Sequence, residues 1–286
     1  MRVTAVVSQA GLGAADNDDC AGFALTAAGL YAWVIDGATS VAERDWLGAG
    51  RGDVAWYSNA LSEALRAAAA DGLAPRALHA AAVRALASDY RGRLEAARAT
   101  PPLHARPMAA LTLLRVAEGR AELFHLGDCA AFALAGGGVR RLSAAEKRDT
   151  AVESRGRIEA VQRTVGFAPK AIWEDRLPAL RRERDAQLSQ PVLNVSTPDV
   201  TASFGGHEAS LDLAGATALV LMSDGYERFA ETYDLGDAAT MIRRTVAEGP
   251  ERLLAELRGF EAADADCRRA PRLKPSDDAT CLVIGG

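Results

Sequence analysis

Short β-prone runs joined by tight turns are the feature that most limits what this chain can fold into. Four such runs follow one another at 109–116, 121–126, 130–134 and 139–142, with Glu118-Gly119 and Gly136-Gly137-Gly138 between them. Tight turns connect antiparallel neighbours, whereas parallel strands need a long crossover connection. We therefore predict an antiparallel meander over this stretch.

The rest of the chain alternates between groups of strands and groups of helices. Further strands are predicted at 3–8, 22–25, 30–35, 209–213, 218–222 and 280–284, and helices at 46–70, 77–99, 238–247 and 251–263. Helices that arrive in pairs do not fit a doubly wound fold, in which each helix joins two parallel strands. The pattern favours an α+β layered sandwich.

Composition and charge exclude several classes of protein. Hydrophobic residues make up 49% of the chain, and the net charge of −5 argues against a general nucleic-acid binder. The sequence has no apolar run of about 18 residues and no signal-peptide core, so no membrane span is expected. The four cysteines form no C-x-x-C pair, which favours free thiols in a reducing, cytoplasmic location.

Aspartates stand at the ends of the predicted strands. They occur in the segments Asn17-Asp18-Asp19, Asp36-Gly37, Gly127-Asp128, Asp224-Gly225 and Asp277-Asp278. Each Asp-Gly taken alone is more typical of a turn than of a site. Several carboxylates brought together would repel one another unless protons or cations neutralise them. Ligands that are all oxygen suit Mg²⁺ or Mn²⁺, and two such ions can activate a water for attack on a phosphoryl group.

The order of these segments resembles the PP2C-type (PPM) family of metal-dependent serine/threonine protein phosphatases. Asn17-Asp18-Asp19 is similar to the family's early acidic pair, and Val34-Ile35-Asp36-Gly37 to its hydrophobic-Asp-Gly motif. The later matches are Leu126-Gly127-Asp128-Cys129, Leu221-Met222-Ser223-Asp224-Gly225 and Asp277-Asp278-Ala279-Thr280. The resemblance runs from Gln9 to Ile284, nearly the whole chain.

This resemblance implies a fold, a reaction and a set of ligands. It implies one domain over residues 1–286, with two antiparallel sheets packed face to face between helices and a flap-like variable segment at about 144–190. The implied reaction is hydrolysis of phosphoserine and phosphothreonine esters in phosphorylated protein substrates, and a kinase that makes those substrates is the implied partner. The implied cofactors are two Mg²⁺ or Mn²⁺ ions, with a possible third.

The implied metal site consists of Asp18, Asp19, Asp36, Gly37, Asp128, Asp224 and Asp277. Asp36 would bridge two ions, and Asp36 and Asp224 would be the catalytic residues, acting through metal-activated water. Asp224 and Asp277 would complete one metal shell and Asp18 would serve the other, with Asp19 ordering water. Asp128 would join Asp224 at the third, weaker site.

The chain departs from the family pattern where phosphate is bound. The family often has an Arg four residues before the acidic pair, and Ala14 stands there in this chain. Arg272 and Lys274, in the basic loop that leads into Asp277, are therefore candidate phosphate-binding residues; a solvated basic loop is the alternative. The arginines of the flap-like segment are expected on a solvated helix face, with substrate docking as the alternative; they are Arg163, Arg176, Arg181, Arg182 and Arg184.

Two other functions remain open from the sequence. The missing Arg would also fit a phosphatase-like binding or regulatory module with weak catalysis. Val34-Ile35-Asp36-Gly37-Ala38-Thr39 superficially resembles the first motif of haloacid dehalogenase-type hydrolases, which use an aspartate nucleophile. That motif requires a second Asp where Ala38 stands, and its fold requires a parallel sheet.

Overall fold

The computed structural model describes residues 1–144, 148–198, 201 and 203–286. Its strands are β1 (Arg2–Gln9), β2 (Cys20–Thr26), β3 (Gly29–Gly37), β4 (Ala109–Ala117), β5 (Arg120–Leu126), β6 (Ala130–Ala135), β7 (Gly138–Arg141), β8 (Val192–Leu193), β9 (Ser203–Phe204), β10 (His207–Asp212), β11 (Ala216–Met222) and β12 (Ala279–Gly285). Its helices are α1 (Asp53–Ala68), α2 (Pro75–Ala97), α3 (Arg148–Val165), α4 (Pro169–Leu188), α5 (Asp224–Glu231), α6 (Ala238–Glu248) and α7 (Pro250–Ala263).

Two five-stranded antiparallel sheets form the centre of the molecule. The first sheet has the order β1-β12-β11-β6-β7, and the second has the order β10-β5-β4-β3-β2. The short pair β8–β9 is parallel and lies outside both sheets. The predicted α+β fold with two antiparallel sheets is confirmed, and a parallel-sheet dehalogenase fold is excluded.

The alternation of side chains along β3 shows how the layers are built. Leu30, Ala32 and Val34 join the apolar cluster that also holds residues of the first sheet. Tyr31 and Trp33 point the other way, into the cluster formed with α1 and α2. A strand buried on both faces reads as one apolar run, as this one does. The first sheet is covered on its outer face by α5, α6 and α7 in the same manner.

The predicted meander over 109–142 was wrong in one respect. β4 pairs with β5, and β6 pairs with β7, but these two hairpins belong to different sheets. The chain crosses between the sheets at Gly127-Asp128, where Gly127 has a φ of 80°. The tight turn between β5 and β6 is therefore a corner of the sandwich, and Asp128 lies at that corner.

Two helices differ from the predicted bounds. The helix expected at 46–70 begins only at Asp53, because the Asp53 carboxylate accepts the backbone N–H groups of Trp46 (2.6 Å) and Leu47 (3.1 Å) and folds the preceding residues into a loop. Helix α5, eight residues long, was not predicted. It begins at Asp224, directly after β11, so the strand and the helix place this carboxylate together.

The segment at about 144–190 contains α3 and α4, in agreement with its helical composition; its residues 145–147 lie outside the described residues. Gln162 of α3 donates a hydrogen bond to the Cys267 carbonyl (3.1 Å), and Ile158 and Ile172 are buried. The helix pair is therefore packed onto the sandwich. In the described part of the chain, no helix is long and apolar enough to cross a membrane.

Candidate active site

Strand register in the second sheet places the first acidic residues side by side. Cys20 pairs with Ile35, so Asp19 and Asp36 occupy neighbouring positions at one edge of the sheet. Asp19 is buried and Asp36 is half-buried, and the charge of Asp19 raises the pKa of Asp36. Residues separated in sequence thus meet because β2 and β3 are an antiparallel hairpin.

Strand register in the first sheet completes the group. Met222 pairs with Cys281 on one side and with Ala130 on the other. Asp224 follows the end of β11, and Asp277 precedes the start of β12, so both lie at the same edge. The backbone N–H of Asp224 donates to Oδ2 of Asp36 (3.1 Å), which joins the two sheets across the site.

The two Asp-Gly segments serve close packing, not turns. A Cβ at Gly37 would collide with the backbone oxygen of Asp18 and with Val54, and a Cβ at Gly225 would collide with the carbonyl oxygen of Asp278. Neither glycine has a positive φ. Glycine is required at both positions because another backbone passes directly over them. The glycines bring the Asp18 and Asp278 segments against the ends of β3 and β11.

One end of this acidic cluster lacks neutralising charge. Burial raises the pKa of Asp19 well above its ordinary value, against a hydrogen bond from Ser223 that lowers it. Oδ2 of Asp19 is buried and has no hydrogen-bond partner within the described residues. Burial and the charge of Asp19 also raise the pKa of Asp36. Burial, followed by the charge of Asp278, raises the pKa of Asp18 to about 7.

The opposite end carries two cations. Arg228, one turn after Asp224 on α5, forms an ion pair with Oδ2 of Asp277 and lies 3.6 Å from Asp224. Lys274 forms an ion pair with Oδ1 of Asp277 and a 2.6 Å hydrogen bond with the Thr39 hydroxyl. Burial alone would raise the pKa of Asp277, but the charges of Arg228 and Lys274 outweigh burial and lower it.

The donor set fits hard divalent cations at one end only. Asp18, Asp19, Asp36 and the close-packed Gly37 offer oxygen ligands and excess negative charge, which is the chemistry that Mg²⁺ and Mn²⁺ prefer. Asp277 does not fit as it stands, because both of its oxygens are engaged by cations. As the side chains stand, no three Asp, Glu, His or Cys side chains of the described residues are arranged to hold an ion directly at either end.

Arg272 does not have the role predicted for it. It is 4% exposed, and its guanidinium forms an ion pair with Asp264 (2.6 Å) and donates to the carbonyls of Asp264, Ala270 and Pro275. A guanidinium has five N–H donors, and these contacts occupy most of them. Arg272 therefore holds the basic loop in shape and is not available to grip phosphate. Lys274 does lie at the acidic cluster, and its phosphate contact remains a prediction.

A cleft of about 590 Å³ opens over the cluster. Asp36, Gly37, Asp128, Asp224 and Asp277 line it on the sandwich side, and Trp173, Leu180 and Arg184 line it from α4. The wall thus combines carboxylates at the base with apolar and cationic side chains from the helix pair. Such a combination is typical of a small-molecule or side-chain binding site.

Two functional side chains, Arg228 and Asp278, were missed in the sequence, and a third, Arg184, was expected on a solvated face with substrate docking as the alternative. Arg228 could have been found from its i,i+4 spacing to Asp224 on a helix, had α5 been predicted. Asp278 accepts the backbone N–H groups of Gly11 (2.8 Å) and Asp18 (2.6 Å), so it holds the early acidic loop in place. Arg184 points into the cleft instead of lying on a solvated face, and no sequence signal distinguishes it from Arg182.

Comparison with known proteins agrees with this geometry. The family model for protein phosphatase 2C matches residues 8–260. No curated protein sequence matches the chain. Among solved structures, the Mycobacterium tuberculosis serine/threonine phosphatase PstP/Ppp is 17% identical with a TM-score of 0.57, and 99% of this chain and 98% of that chain are covered.

Two further structures show the same fold. Staphylococcus aureus serine/threonine phosphatase Stp1 is 12% identical with a TM-score of 0.56, covering 100% of this chain and 95% of that one. The catalytic domain of the serine/threonine protein phosphatase PstP in complex with two manganese ions is 19% identical with a TM-score of 0.55, covering 99% and 97%. At these identities the likeness concerns the fold.

Proposed function

The chain belongs to the protein phosphatase 2C family, and on that premise we propose that it hydrolyses phosphoserine and phosphothreonine esters of proteins with the help of Mg²⁺ or Mn²⁺. The observation that carries the proposal is the un-neutralised pair Asp19 and Asp36: Asp36 lines the cleft, and Asp19 is buried beside it. A buried carboxylate pair without a cation is costly, so the site calls for bound positive charge.

Two ions are proposed, held by Asp18, Asp19, Asp36, Gly37 and Asp224, with Asp128 supporting a weaker third; Asp277 would join them only where an ion displaces Arg228 or Lys274 from its oxygens. When bound, divalent ions would supply Lewis-acid charge and lower the pKa of water at the phosphoryl group. The residues of this chain hold the site: Asp278 fixes the loop of Asp18, and Gly37 and Gly225 allow the close approach of neighbouring backbone.

The protein's compartment and partners follow as part of the same proposal. All four cysteines are free, and three of them are buried, which supports a reducing, cytoplasmic location. The substrate would be a phosphorylated protein made by a partner kinase. The proposed single domain would include α3 and α4 as a variable segment over the cleft.

The test is turnover of p-nitrophenyl phosphate and of a phosphothreonine peptide, with Mn²⁺ and with EDTA. We expect turnover that needs the metal and is lost in Asp36→Asn. Turnover that persists unchanged in EDTA would refute the metal-dependent reaction.

A binding or regulatory module with weak catalysis is the second candidate. The specific observation in its favour is that Arg228 and Lys274 occupy the carboxylate of Asp277. Tight binding of the phosphopeptide without Mn²⁺-dependent turnover would decide for this module and against the enzyme.

A further inference from the structure

Arg184 reaches from α4 into the cleft above the acidic cluster. Its Nη1 donates to the backbone carbonyl of Thr39 (3.0 Å), two residues beyond Gly37. It lines the same cleft as Asp36 and Lys274. The side chain is therefore placed at the site by the helix pair, away from the surface where its sequence neighbours lie.

The charge of Arg184 is not balanced by the protein. Two other arginines of α4 have carboxylate partners: Arg181 lies 3.0 Å from Glu43, and Arg176 lies 3.3 Å from Glu183. Within the described residues, no carboxylate lies within ion-pair distance of Arg184. Burial lowers the pKa of Arg184 to about 10, the direction expected for a desolvated cation. A partly buried cation without a partner is unfavourable until an anion joins it.

The other cations of the cleft are already engaged. Arg228 and Lys274 both hold Asp277, and Arg272 holds Asp264. Of the four basic side chains that line the described part of the cleft, Arg184 alone has its charge available for a ligand. Four of its five N–H donors have no partner among the described residues, which leaves a fork that suits the oxygens of a phosphate group.

The position of α4 is fixed by polar contacts on both sides of Arg184. Nε of Arg181 donates to the carbonyl of Val41 (2.8 Å), and Asp185 lies 3.2 Å from Nδ1 of His104. The first contact ties the helix to the loop that follows Gly37, and the second ties it to the short helical turn before β4. A cation held in place before binding loses less conformational entropy when the ligand arrives.

We infer that Arg184 binds the phosphate group of the substrate and takes the role for which position 14 offers only an alanine. The inference rests on the proposed function, and it places a substrate contact in the helix pair instead of in the sandwich. The ligand class is a phosphomonoester dianion: its oxygens meet the guanidinium, and its organic part lies beside the apolar wall at Trp173 and Leu180.

The experiment compares Arg184→Met with Arg184→Lys and with the control Arg182→Met, an exposed arginine two positions away on the same helix. Methionine keeps an unbranched apolar stem and removes the charge, whereas lysine keeps the charge and loses the fork. The measurements are KM and kcat for p-nitrophenyl phosphate with Mn²⁺, binding of inorganic phosphate by calorimetry, and Mn²⁺ affinity.

For Arg184→Met we expect KM and the dissociation constant of phosphate to rise about tenfold or more, since a charge-assisted contact is lost. We expect kcat and Mn²⁺ affinity to stay within about twofold. Arg184→Lys should lie between Arg184→Met and wild type, and Arg182→Met should match wild type. KM and phosphate binding within about twofold of wild type in Arg184→Met would overturn the inference.

Failure of the proposed function gives a different result. If the wild type shows no metal-dependent turnover, phosphate binding decides alone. Weaker binding in Arg184→Met than in Arg182→Met supports the inference without the enzyme activity. Equal binding in the two variants, or no phosphate binding by the wild type, overturns it.

Discussion

The two ends of the acidic cluster differ in how the negative charge of their carboxylates is neutralised. At the end formed by β2 and β3, Asp19 is buried and Asp36 is half-buried, and neither has a cation beside it. Burial raises the pKa of both, and repulsion raises it further, chiefly from Asp277 at Asp19 and from Asp19 at Asp36. At the end next to β12, Arg228 and Lys274 neutralise Asp277 and lower its pKa. The first end needs positive charge from solution, whereas the second end carries its own. We therefore expect divalent ions to bind more tightly at the first end.

The largest expected effect comes from breaking the end that lacks a cation. Asp36→Asn removes the charge that attracts the ions, and we expect kcat to fall about 100-fold or more. The same change removes a repulsive buried charge, so the metal-free protein should unfold at an equal or higher temperature in EDTA. Turnover with saturating Mn²⁺ and thermal unfolding in EDTA measure the two effects.

Asp175→Asn, an exposed site on α4, is the matched control and should change neither quantity. Wild-type turnover in Asp36→Asn would show that this end does not hold the catalytic ions.

The second prediction concerns the end next to β12, where removal of a cation should leave Asp277 less neutralised. Arg228→Met frees Oδ2 of Asp277, so that a Mn²⁺ ion at this end of the cluster no longer competes with a guanidinium. We therefore expect the affinity for the Mn²⁺ ion at this end to increase about tenfold. Without metal, the variant should lose about 2 kcal/mol of unfolding free energy, since a half-buried carboxylate loses one of its two cationic partners and keeps Lys274. Calorimetric Mn²⁺ titration and denaturant unfolding in EDTA test these effects.

Arg244→Met is the control, because Arg244 pairs with Glu248 and Glu256 away from the cleft. Identical Mn²⁺ isotherms for Arg228→Met and Arg244→Met would show that Arg228 does not weaken Mn²⁺ binding at the end next to β12.

The difference between the ends also marks what the sequence could and could not predict. The strands and the positions of the aspartates follow from local patterns, since an apolar run that ends in Asp-Gly places a carboxylate at a sheet edge. The partners of Asp277 do not follow from local patterns. Arg228 becomes visible only once α5 is known, and Arg272 and Lys274, two residues apart in one loop, have unrelated roles that only the packing of Asp264 separates. The crossing of the chain between the sheets at Gly127 was equally hidden, because a turn inside one sheet and a turn between sheets have the same sequence signature.

The third prediction concerns pH in the metal-free protein. The pKa of Asp18 is about 7 in the folded state and 3.8 in the unfolded chain, so the folded state binds the proton more tightly. This contribution to stability is fully present below about pH 3.8 and is lost as the pH rises through 7. His79 and His125, whose pKa values are lowered to about 3 and about 4, are protonated near pH 6.5 only in the unfolded chain, so they oppose the trend until the pH has passed about 7.5.

We therefore expect the metal-free wild type to lose more unfolding free energy than Asp18→Asn between pH 6.5 and 8.5, by about 1 kcal/mol, or about 2 °C in unfolding temperature. Glu227, whose pKa burial also raises to about 7, and the two histidines contribute equally in both proteins, so the comparison isolates Asp18. Excess Mn²⁺ should reduce the difference, since bound ions replace the protons. The same pH dependence in the two metal-free proteins would contradict the high pKa of Asp18.

The smallest expected effect comes from Lys274→Met. Lys274 is more exposed than Arg228, 29% against 18% of the side chain, so water screens its ion pair with Asp277 more strongly. We expect Mn²⁺ affinity to rise only about threefold, and the free energy of unfolding to fall by less than about 1 kcal/mol.

The two roles considered for Lys274 can be distinguished by making Lys274→Met in a protein that already carries Asp277→Asn. If Lys274 acts through Asp277, its removal in that background leaves Mn²⁺ affinity and KM unchanged, because the partner it neutralises is already neutral. If Lys274 instead contacts the substrate phosphate, KM rises several-fold in either background. The first outcome would show that Lys274, like Arg228, serves to neutralise Asp277. The second would show that Lys274 belongs to the phosphate site, together with Arg184.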